Sequence, residues 1–322
     1  MAVPLSREAR VVLSTTLVNS LGNGLVLPFL LIYLHEVRGI PLAVVGLVLA
    51  TPGAVGLVGA PVVGTLIDRF GARRVLIGGL LTAAAGNVLL TGVQTAWEAF
   101  GAVAVVGLGG ATAWPAGMAL LSGVTTSEQR ARVFAIQFTL VNAGIGLGGV
   151  AGGLLADVHR PGTFALLYAL NAVTFALVAA PLFVLRRIGN RVPHPAGDDT
   201  GADRAGWRVV LRDRTMRRYC VLAMIVVGAG YAQLESGFPA YATGHAHVST
   251  RVVGFAFSAN CVVIVLGQML VLRRLEGRRR TRAMAGFAVF MAAAWVLLAG
   301  SALVGRTVAA VLVVAAAMVF AG

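Results

Sequence analysis

Residues 42–74 read LAVVGLVLATPGAVGLVGAPVVGTLIDRFGARR. An apolar run over residues 42–67 leads directly into a short loop that contains Asp68, Gly71 and three arginines. A helix needs about 20 apolar residues to cross the hydrocarbon core of a bilayer, and this run is long enough. The stretch therefore predicts a transmembrane helix that ends in a tight, charged turn at the membrane surface.

The composition of the whole chain agrees with a membrane environment. Of the 322 residues, 58% are hydrophobic and only 12% are charged, and the mean hydropathy is +0.87. A soluble domain is about a quarter charged, so this chain lacks the polar surface that water requires. The net charge of +14 rests on 26 basic residues, all of them arginine. These arginines lie between apolar runs instead of forming one basic surface, so we predict no nucleic-acid partner.

Nine further apolar runs resemble the one at residues 42–67. They cover residues 11–34, 75–93, 99–121, 133–156, 164–185, 219–242, 252–272, 284–303 and 308–321. Because lipid offers the backbone no hydrogen-bond partners, and the connecting loops are short, these runs predict helices. The predicted fold class is all-α, a polytopic transmembrane helix bundle.

The distribution of arginine predicts the orientation of this bundle. Arg7 and Arg10 precede the first run, and most other arginines fall in loops on the same side of the membrane. The exceptions are Arg38, Arg160, Arg251 and Arg306. Loops rich in Lys and Arg face the cytoplasm. We therefore predict a multi-pass protein of the cell membrane with a cytoplasmic N-terminus.

One connection, over residues 186–218, is much longer than the others. It contains prolines, glycines and aspartates, a composition typical of linkers. It separates six predicted spans from four. We therefore predict an N-terminal six-helix bundle over residues 1–186, a cytoplasmic linker over 187–215 and a C-terminal helix bundle over 216–322. Six spans, a linker and a second set of spans is the plan of a transporter built from repeats.

The loop after the second span, residues 64–74, resembles the signature loop of the major facilitator superfamily, G-x-L-x-D-R-x-G-R-R. The residues that match the pattern are Gly64, Leu66, Asp68, Arg69, Gly71 and Arg73, with Arg74 following them. Ala72 stands where the family has the first basic residue of the final pair. Gly64 is expected to let the second helix pack tightly near its end, and Gly71 to permit the sharp turn.

The resemblance carries implications for mechanism and size. In the family this loop is a cytoplasmic latch that holds one conformation, so the latch role falls on Gly64, Asp68, Arg69, Gly71, Arg73 and Arg74. Family members have twelve spans in two halves, whereas about ten are found here. The C-terminal bundle is therefore expected to be incomplete, and the chain to be either a fragment or a degenerate member, with truncation favoured.

The fifth span carries a second resemblance to the family. Residues 144–153 read GIGLGGVAGG, which is similar to the antiporter motif G-x-x-x-G-P-x-x-G-G. The matching residues are Gly144, Gly148, Gly152 and Gly153, while Gly149 stands in the proline position. The motif is associated with drug/proton exchangers, so the resemblance implies export. The alternative is that these glycines only allow helices to approach closely.

Polar residues inside the apolar runs are candidates for substrate contact. Asn19 and Asn23 lie four residues apart, on one face of the first helix. The other candidates are Gln137, Asn142 and Gln233, with Asn171 and Asn260 also inside runs. For each of them the alternative is an interhelical hydrogen bond.

Glu235 is a carboxylate well inside the seventh predicted span. A charge at that depth is costly unless it is protonated, paired or in contact with water. Glu235 is therefore a candidate for carrying a proton or binding a cationic substrate. The alternative is structural, with a protonated Glu235 hydrogen-bonded to a neighbour such as Asn260 or reaching the outer interface.

These observations leave several functions open. The leading hypothesis is secondary active transport of a small amphipathic molecule by alternating access, as drug or toxic-compound efflux coupled to protons. The alternatives are a metabolite uptake or exchange permease, and a non-transporting membrane receptor or scaffold. No H-E-x-x-H, G-x-S-x-G or P-loop pattern is present, so we predict no enzyme activity. We predict a monomer in the lipid bilayer with a small-molecule substrate and without a cofactor or metal.

Overall fold

A computed structural model of the chain describes residues 6–184, 213–226, 232–275 and 280–320. Every regular element in these ranges is a helix. Seven of the helices are long and apolar enough to cross a membrane, judged by length and composition. The described part is thus the polytopic helical bundle that the sequence predicts.

Six long helices form the first part of the chain. The first, α1, covers Arg7–Val26 and continues through a 3-10 turn, one α-helical turn and a π-helical turn to Val37. The other five are α2 (Leu42–Phe70), α3 (Ala72–Thr91), α4 (Ala96–Gly123), α5 (Ser127–Leu155) and α6 (Pro161–Val184). All six predicted spans of this part are therefore helical, with ends that differ by a few residues.

The helices after the long connection are shorter and more interrupted. They are α7 (Arg214–Val226), α8 (Ala232–Glu235), α9 (Gly237–Gly244), α10 (Thr250–Leu275), α11 (Arg280–Ser301) and α12 (Arg306–Val319). The predicted linker at 187–215 lies almost entirely outside the described residues, and the division into two bundles stays a prediction.

The prediction of one continuous seventh span over residues 219–242 is wrong. The helix breaks at Ser236, which has φ −120° and ψ −63°, between α8 and α9. Pro239 explains the break, because a proline ring clashes with the carbonyl four residues earlier and supplies no N–H. That carbonyl belongs to Glu235, the last residue of α8.

Local interactions fix several helix ends. The Thr95 hydroxyl accepts a bond from the Glu98 N–H while the Glu98 carboxylate accepts from the Thr95 N–H, a capping box that starts α4. The turn between α2 and α3 is made by Gly71 alone, with φ +83° and ψ 147°. Only glycine adopts that conformation without strain.

The loops place the arginines at two opposite ends of the bundle, because consecutive long helices run antiparallel. At one end, the Ser6 hydroxyl donates to the carbonyl of Val124. At the other, Thr250 donates to the carbonyl of Ala156, across 94 residues of sequence. We call the first the Arg-rich end and the second, which holds Arg38, Arg160, Arg251 and Arg306, the Arg-poor end.

Two buried cores differ between these ends. The core toward the Arg-poor end joins residues from both parts of the chain, for example Phe29 and Phe164 with Phe238, Phe257 and Leu298. The core toward the Arg-rich end contains residues of α1, α3, α4, α5 and α6. The helices before and after the long connection therefore share a core at the Arg-poor end and not, among the described residues, at the Arg-rich end.

Candidate functional site

A cavity of about 210 Å³ lies between α1, α3, α4, α5 and α6. Its lining combines aliphatic side chains with a set of neutral polar ones: Thr15, Thr16, Asn19, Ser20, Asn23, Trp114 and Gln137. These residues come from the halves of their helices nearer the Arg-rich end, away from the shared core. The cavity therefore lies on the side where the two parts of the chain are not packed together.

The first helix presents its polar face to the cavity. The residues of α1 that line it stand at positions 12, 15, 16, 19, 20 and 23. This spacing of three and four residues follows the helical repeat, so all six lie on one face. Asn19 and Asn23, which the sequence marks as neighbours, are both on it.

Glycines of the fourth helix, α4, leave the space for the cavity. Gly107 and Gly109 are packed, since a Cβ built on Gly107 would lie 2.7 Å from Cα of Pro52 and one on Gly109 would lie 2.7 Å from Cα of Ala83. Gly110 has no atom within 4 Å of such a Cβ, and Gly117 has only the tip of Leu76 at 3.9 Å. Gly110 and Gly117 both line the cavity, so these two glycines leave space instead of closing a contact.

Two carboxamide side chains of the cavity have groups without a hydrogen-bond partner among the described residues. The Oδ1 atom of Asn19 is buried and accepts no hydrogen bond from the described residues. Gln137 is only 8% exposed, and its side chain makes no hydrogen bond with them either. Buried polar groups are normally hydrogen-bonded, so unpartnered ones in a cavity point to water or a ligand.

Asn142 and Asn171 do not belong to this site. The Asn142 side-chain amide donates to the carbonyl of Phe138 in its own helix at 2.9 Å. The Asn171 amide donates to Oδ1 of Asn87 at 2.9 Å, joining α6 to α3 inside the bundle. Sequence reasoning missed Trp114, although its spacing of four residues from Gly110 could have indicated a shared face.

Gln233 and Glu235 also lie outside the cavity. Both are half-buried in α8, beyond the long connection. A Cβ on Gly237 would lie 2.6 Å from the side-chain oxygen of Gln233, so that glycine accommodates the glutamine. Asn260 donates to the carbonyl of Ala317 at 2.7 Å. The amide of Asn260 is thus already engaged between α10 and α12.

The signature loop has the predicted turn but not the predicted packing. No described residue lies within 4 Å of a Cβ on Gly64, so the expected tight packing is not found in the described part of the chain. Asp68 is exposed and forms no ion pair with any described residue. Arg73 donates to the carbonyl of Leu182 at 2.7 Å and so ties the turn to the end of α6.

The glycines of α5 divide into two faces. Gly144, Gly148 and Gly152 face α1, where a Cβ on Gly144 would lie 2.7 Å from Cβ of Ser20. The other face, formed by Gly146, Gly149 and Gly153, packs on α10.

We call this second contact the α5–α10 seam. A Cβ on Gly153 would lie 3.2 Å from Cα of Gly254, and the Ser258 hydroxyl donates to the carbonyl of Gly146 at 2.6 Å. Small residues let helix backbones approach closely in lipid, which explains the close packing on both faces. The seam joins the two parts of the chain toward the Arg-poor end.

Comparison with known proteins gives this geometry a family context. The tetracycline resistance protein, class C, of Escherichia coli is 33% identical over 187 residues, which cover 58% of this chain and 47% of that protein. The multidrug resistance protein MdtH of Aeromonas salmonicida is 29% identical over 241 residues, which cover 72% of this chain and 56% of MdtH. The chain thus spans about half the length of these relatives.

A solved structure agrees on the fold. The nucleoside transporter NupG superposes with a TM-score of 0.75 at 14% identity, covering 98% of this chain and 79% of NupG. The family model of the Major Facilitator Superfamily matches residues 12–322. Because that match covers almost the entire chain, with its bundle of membrane-spanning helices, the protein belongs to the Major Facilitator Superfamily of transporters.

Proposed function

We propose that the protein is a secondary active transporter that moves a small amphipathic molecule across the cell membrane by alternating access, as an exporter of drug-like compounds coupled to protons. The observation that carries the proposal is a partly polar cavity beside two helix sets that, among the described residues, share a core at one end only. A transporter of this type must expose one site to each side of the membrane in turn.

The two ends of the bundle supply the barrier and the opening. The α5–α10 seam and the shared core close the Arg-poor end. The cavity lies nearer the Arg-rich end, where the described core belongs to the first six helices. The arginine excess supports a cytoplasmic position for that end. In this conformation, the cavity faces the cytoplasm, where an exporter loads its substrate.

The orientation has its own test. Single cysteines are introduced at Asp198 and at His247 in a cysteine-free background, Cys220→Ser with Cys261→Ala, and are labelled from outside in intact cells with a membrane-impermeant maleimide. We expect labelling at position 247 and not at 198. Labelling at 198 without labelling at 247 would place the Arg-rich end outside and reverse the proposed direction of access.

The direction of transport and the substrate class draw on the relatives. Two similar proteins are named for tetracycline and multidrug resistance. A cavity with aliphatic walls and a few polar groups suits amphipathic compounds of that kind. For proton coupling, the candidate is Glu235, a half-buried carboxylate at the broken helix between α8 and α9. For the conformational latch, the candidate is Asp68 at the Arg-rich end.

The transport proposal is tested in everted membrane vesicles, in which the cytoplasmic side faces the medium. We expect vesicles with the complete protein to accumulate fluorescent amphipathic dyes on energisation, and a protonophore to release them. Asp68→Asn should reduce the rate while the protein stays in the membrane. Accumulation only in right-side-out vesicles would instead indicate an uptake permease. The absence of protonophore-sensitive accumulation in both preparations would contradict transport.

A further inference from the structure

The described cavity carries no ionisable side chain. Its polar lining consists of carboxamides, hydroxyls and one indole, and the rest is aliphatic or aromatic carbon and glycine. A charged molecule that enters such a site loses part of its hydration and gains no countercharge. The lining therefore favours an uncharged ligand over a cation or an anion.

The hydrogen-bonding groups of the cavity are available to a ligand. Asn19 has a buried carbonyl oxygen without a donor, and the almost fully buried Gln137 has no hydrogen bond to the described protein. A carboxamide is both a donor and an acceptor. The two side chains stand on different helices, α1 and α5, and both line the cavity, so each helix offers a carboxamide to a bound molecule.

The size and walls of the cavity restrict the ligand further. Its volume of about 210 Å³ is below the roughly 300–1,000 Å³ of typical small-molecule sites, so it fits a small molecule or one part of a larger one. Phe175 and the indole of Trp114 lie among the lining residues. Aromatic rings favour flat apolar partners.

We propose that this cavity selects an uncharged molecule that has a flat, preferably aromatic body and an edge with both hydrogen-bond donors and acceptors, recognised by the carboxamides of Asn19 and Gln137. This inference rests on the proposed transport function and names its substrate class. It also separates two roles, since a neutral ligand is bound in the cavity while Glu235, outside it, is the candidate for proton coupling.

Three probes of one shape test the charge preference: para-hydroxybenzamide, which is neutral, para-hydroxybenzoate, an anion, and para-hydroxybenzamidine, a cation. Each is titrated into the purified 322-residue chain at pH 7, and binding is followed by quenching of tryptophan fluorescence. Trp114→Phe identifies the part of the signal that arises in the cavity. We expect the neutral probe to bind at least tenfold more tightly than either ion.

Variants of the same chain test the recognition. Asn19→Leu and Gln137→Met nearly keep the side-chain size and remove hydrogen-bonding groups, and each should weaken binding of the neutral probe about tenfold, the loss expected when a buried partner is left unpaired. Gly110→Leu adds a side chain where the structure has open space, so it should abolish binding without lowering the melting temperature. Thr112→Val is the matched control, because Thr112 bonds its own helix at Leu108 and does not line the cavity.

The outcomes separate this inference from the transport proposal, because binding to the purified chain requires no transport. The inference is overturned if an ionic probe binds as tightly as the neutral one, if both carboxamide variants bind like the parent chain, or if none of the three probes binds. Selective neutral binding without transport in vesicles would leave the inference standing and contradict the transport proposal.

Discussion

The α5–α10 seam gives a quantitative prediction about the closed Arg-poor end. Ser258 is 8% exposed, and its hydroxyl lies 2.6 Å from the carbonyl oxygen of Gly146 across the seam and 2.8 Å from that of Gly254 in its own helix, so the two carbonyls share one donor. Ser258→Ala removes this bond and creates no clash. Interhelical hydrogen bonds in membranes contribute about 0.6 kcal/mol on average and up to about 1.7. The equilibrium between closed and open seam should therefore shift toward the open form by about 3- to 16-fold.

The protein contains its own reporter for this opening. Cys261 is buried in the seam, and a Cβ on Gly146 would lie 3.1 Å from its Cβ. A buried thiol is inert until it reaches water and forms the thiolate. In a Cys220→Ser background, the rate of maleimide labelling at Cys261 should follow the open fraction. We expect Ser258→Ala to raise that rate about 3- to 16-fold, as measured by mass spectrometry over time.

A matched variant controls for general loosening of the bundle. Ser122 also donates to a carbonyl, but in its own helix, to Met118 at 2.8 Å. Ser122→Ala should leave the labelling rate of Cys261 unchanged. The reasoning is refuted if Ser258→Ala labels at the parent rate, or if both alanine variants accelerate labelling equally.

Three further predictions concern stability, the signature turn and coupling. Gly109→Ala should overpack the contact with Ala83, lower the free energy of unfolding by about 1–3 kcal/mol and so lower the melting temperature in detergent. Gly110→Ala should leave the melting temperature unchanged. Equal melting temperatures of the two variants would contradict the packing described for α4. Gly71→Val forces a branched residue to φ +83°, a backbone strain of about 1–3 kcal/mol, and should reduce the yield of folded protein. Gly92→Val, at φ −102°, should not reduce it. Similar yields of the two variants would contradict the strain argument. Glu235→Gln should remove the pH dependence of transport in vesicles, and an unchanged rate and pH profile would exclude Glu235 as the proton carrier.

The glycine-rich segment of α5 shows what a sequence motif predicts about helix contacts and what it does not. The motif singles out Gly144, Gly148, Gly152 and Gly153 without saying what they contact. In the structure, the first three face α1, while Gly153 faces α10 across the seam. The motif therefore combines residues of two helix faces, because residues four apart share a face and adjacent residues such as Gly152 and Gly153 do not.

The candidate site was predictable in part. Asn19, Asn23 and Gln137 are polar residues inside apolar runs, and this contrast is visible in the sequence because unpaired polar groups in lipid are costly. Asn142 gives the same contrast, yet its side chain bonds Phe138 in its own helix. Whether a polar side chain turns to a cavity, a neighbouring helix or its own backbone depends on what stands opposite, which the sequence of one helix does not contain.

The amino-acid sequence by itself determined the membrane environment, the six long helices of the first part, the separation of arginines between two ends and the turn at Gly71. Each follows from local chemistry, namely the apolar length needed to span lipid, the charge of loops and the conformational freedom of glycine. Only the tertiary structure decided that Gly64 and Gly110 face open space while Gly109 and Gly254 are packed. In lipid, both the packed and the exposed faces of a helix are apolar, so hydrophobic periodicity does not distinguish them, and the contact is set by the shape of the neighbouring helix.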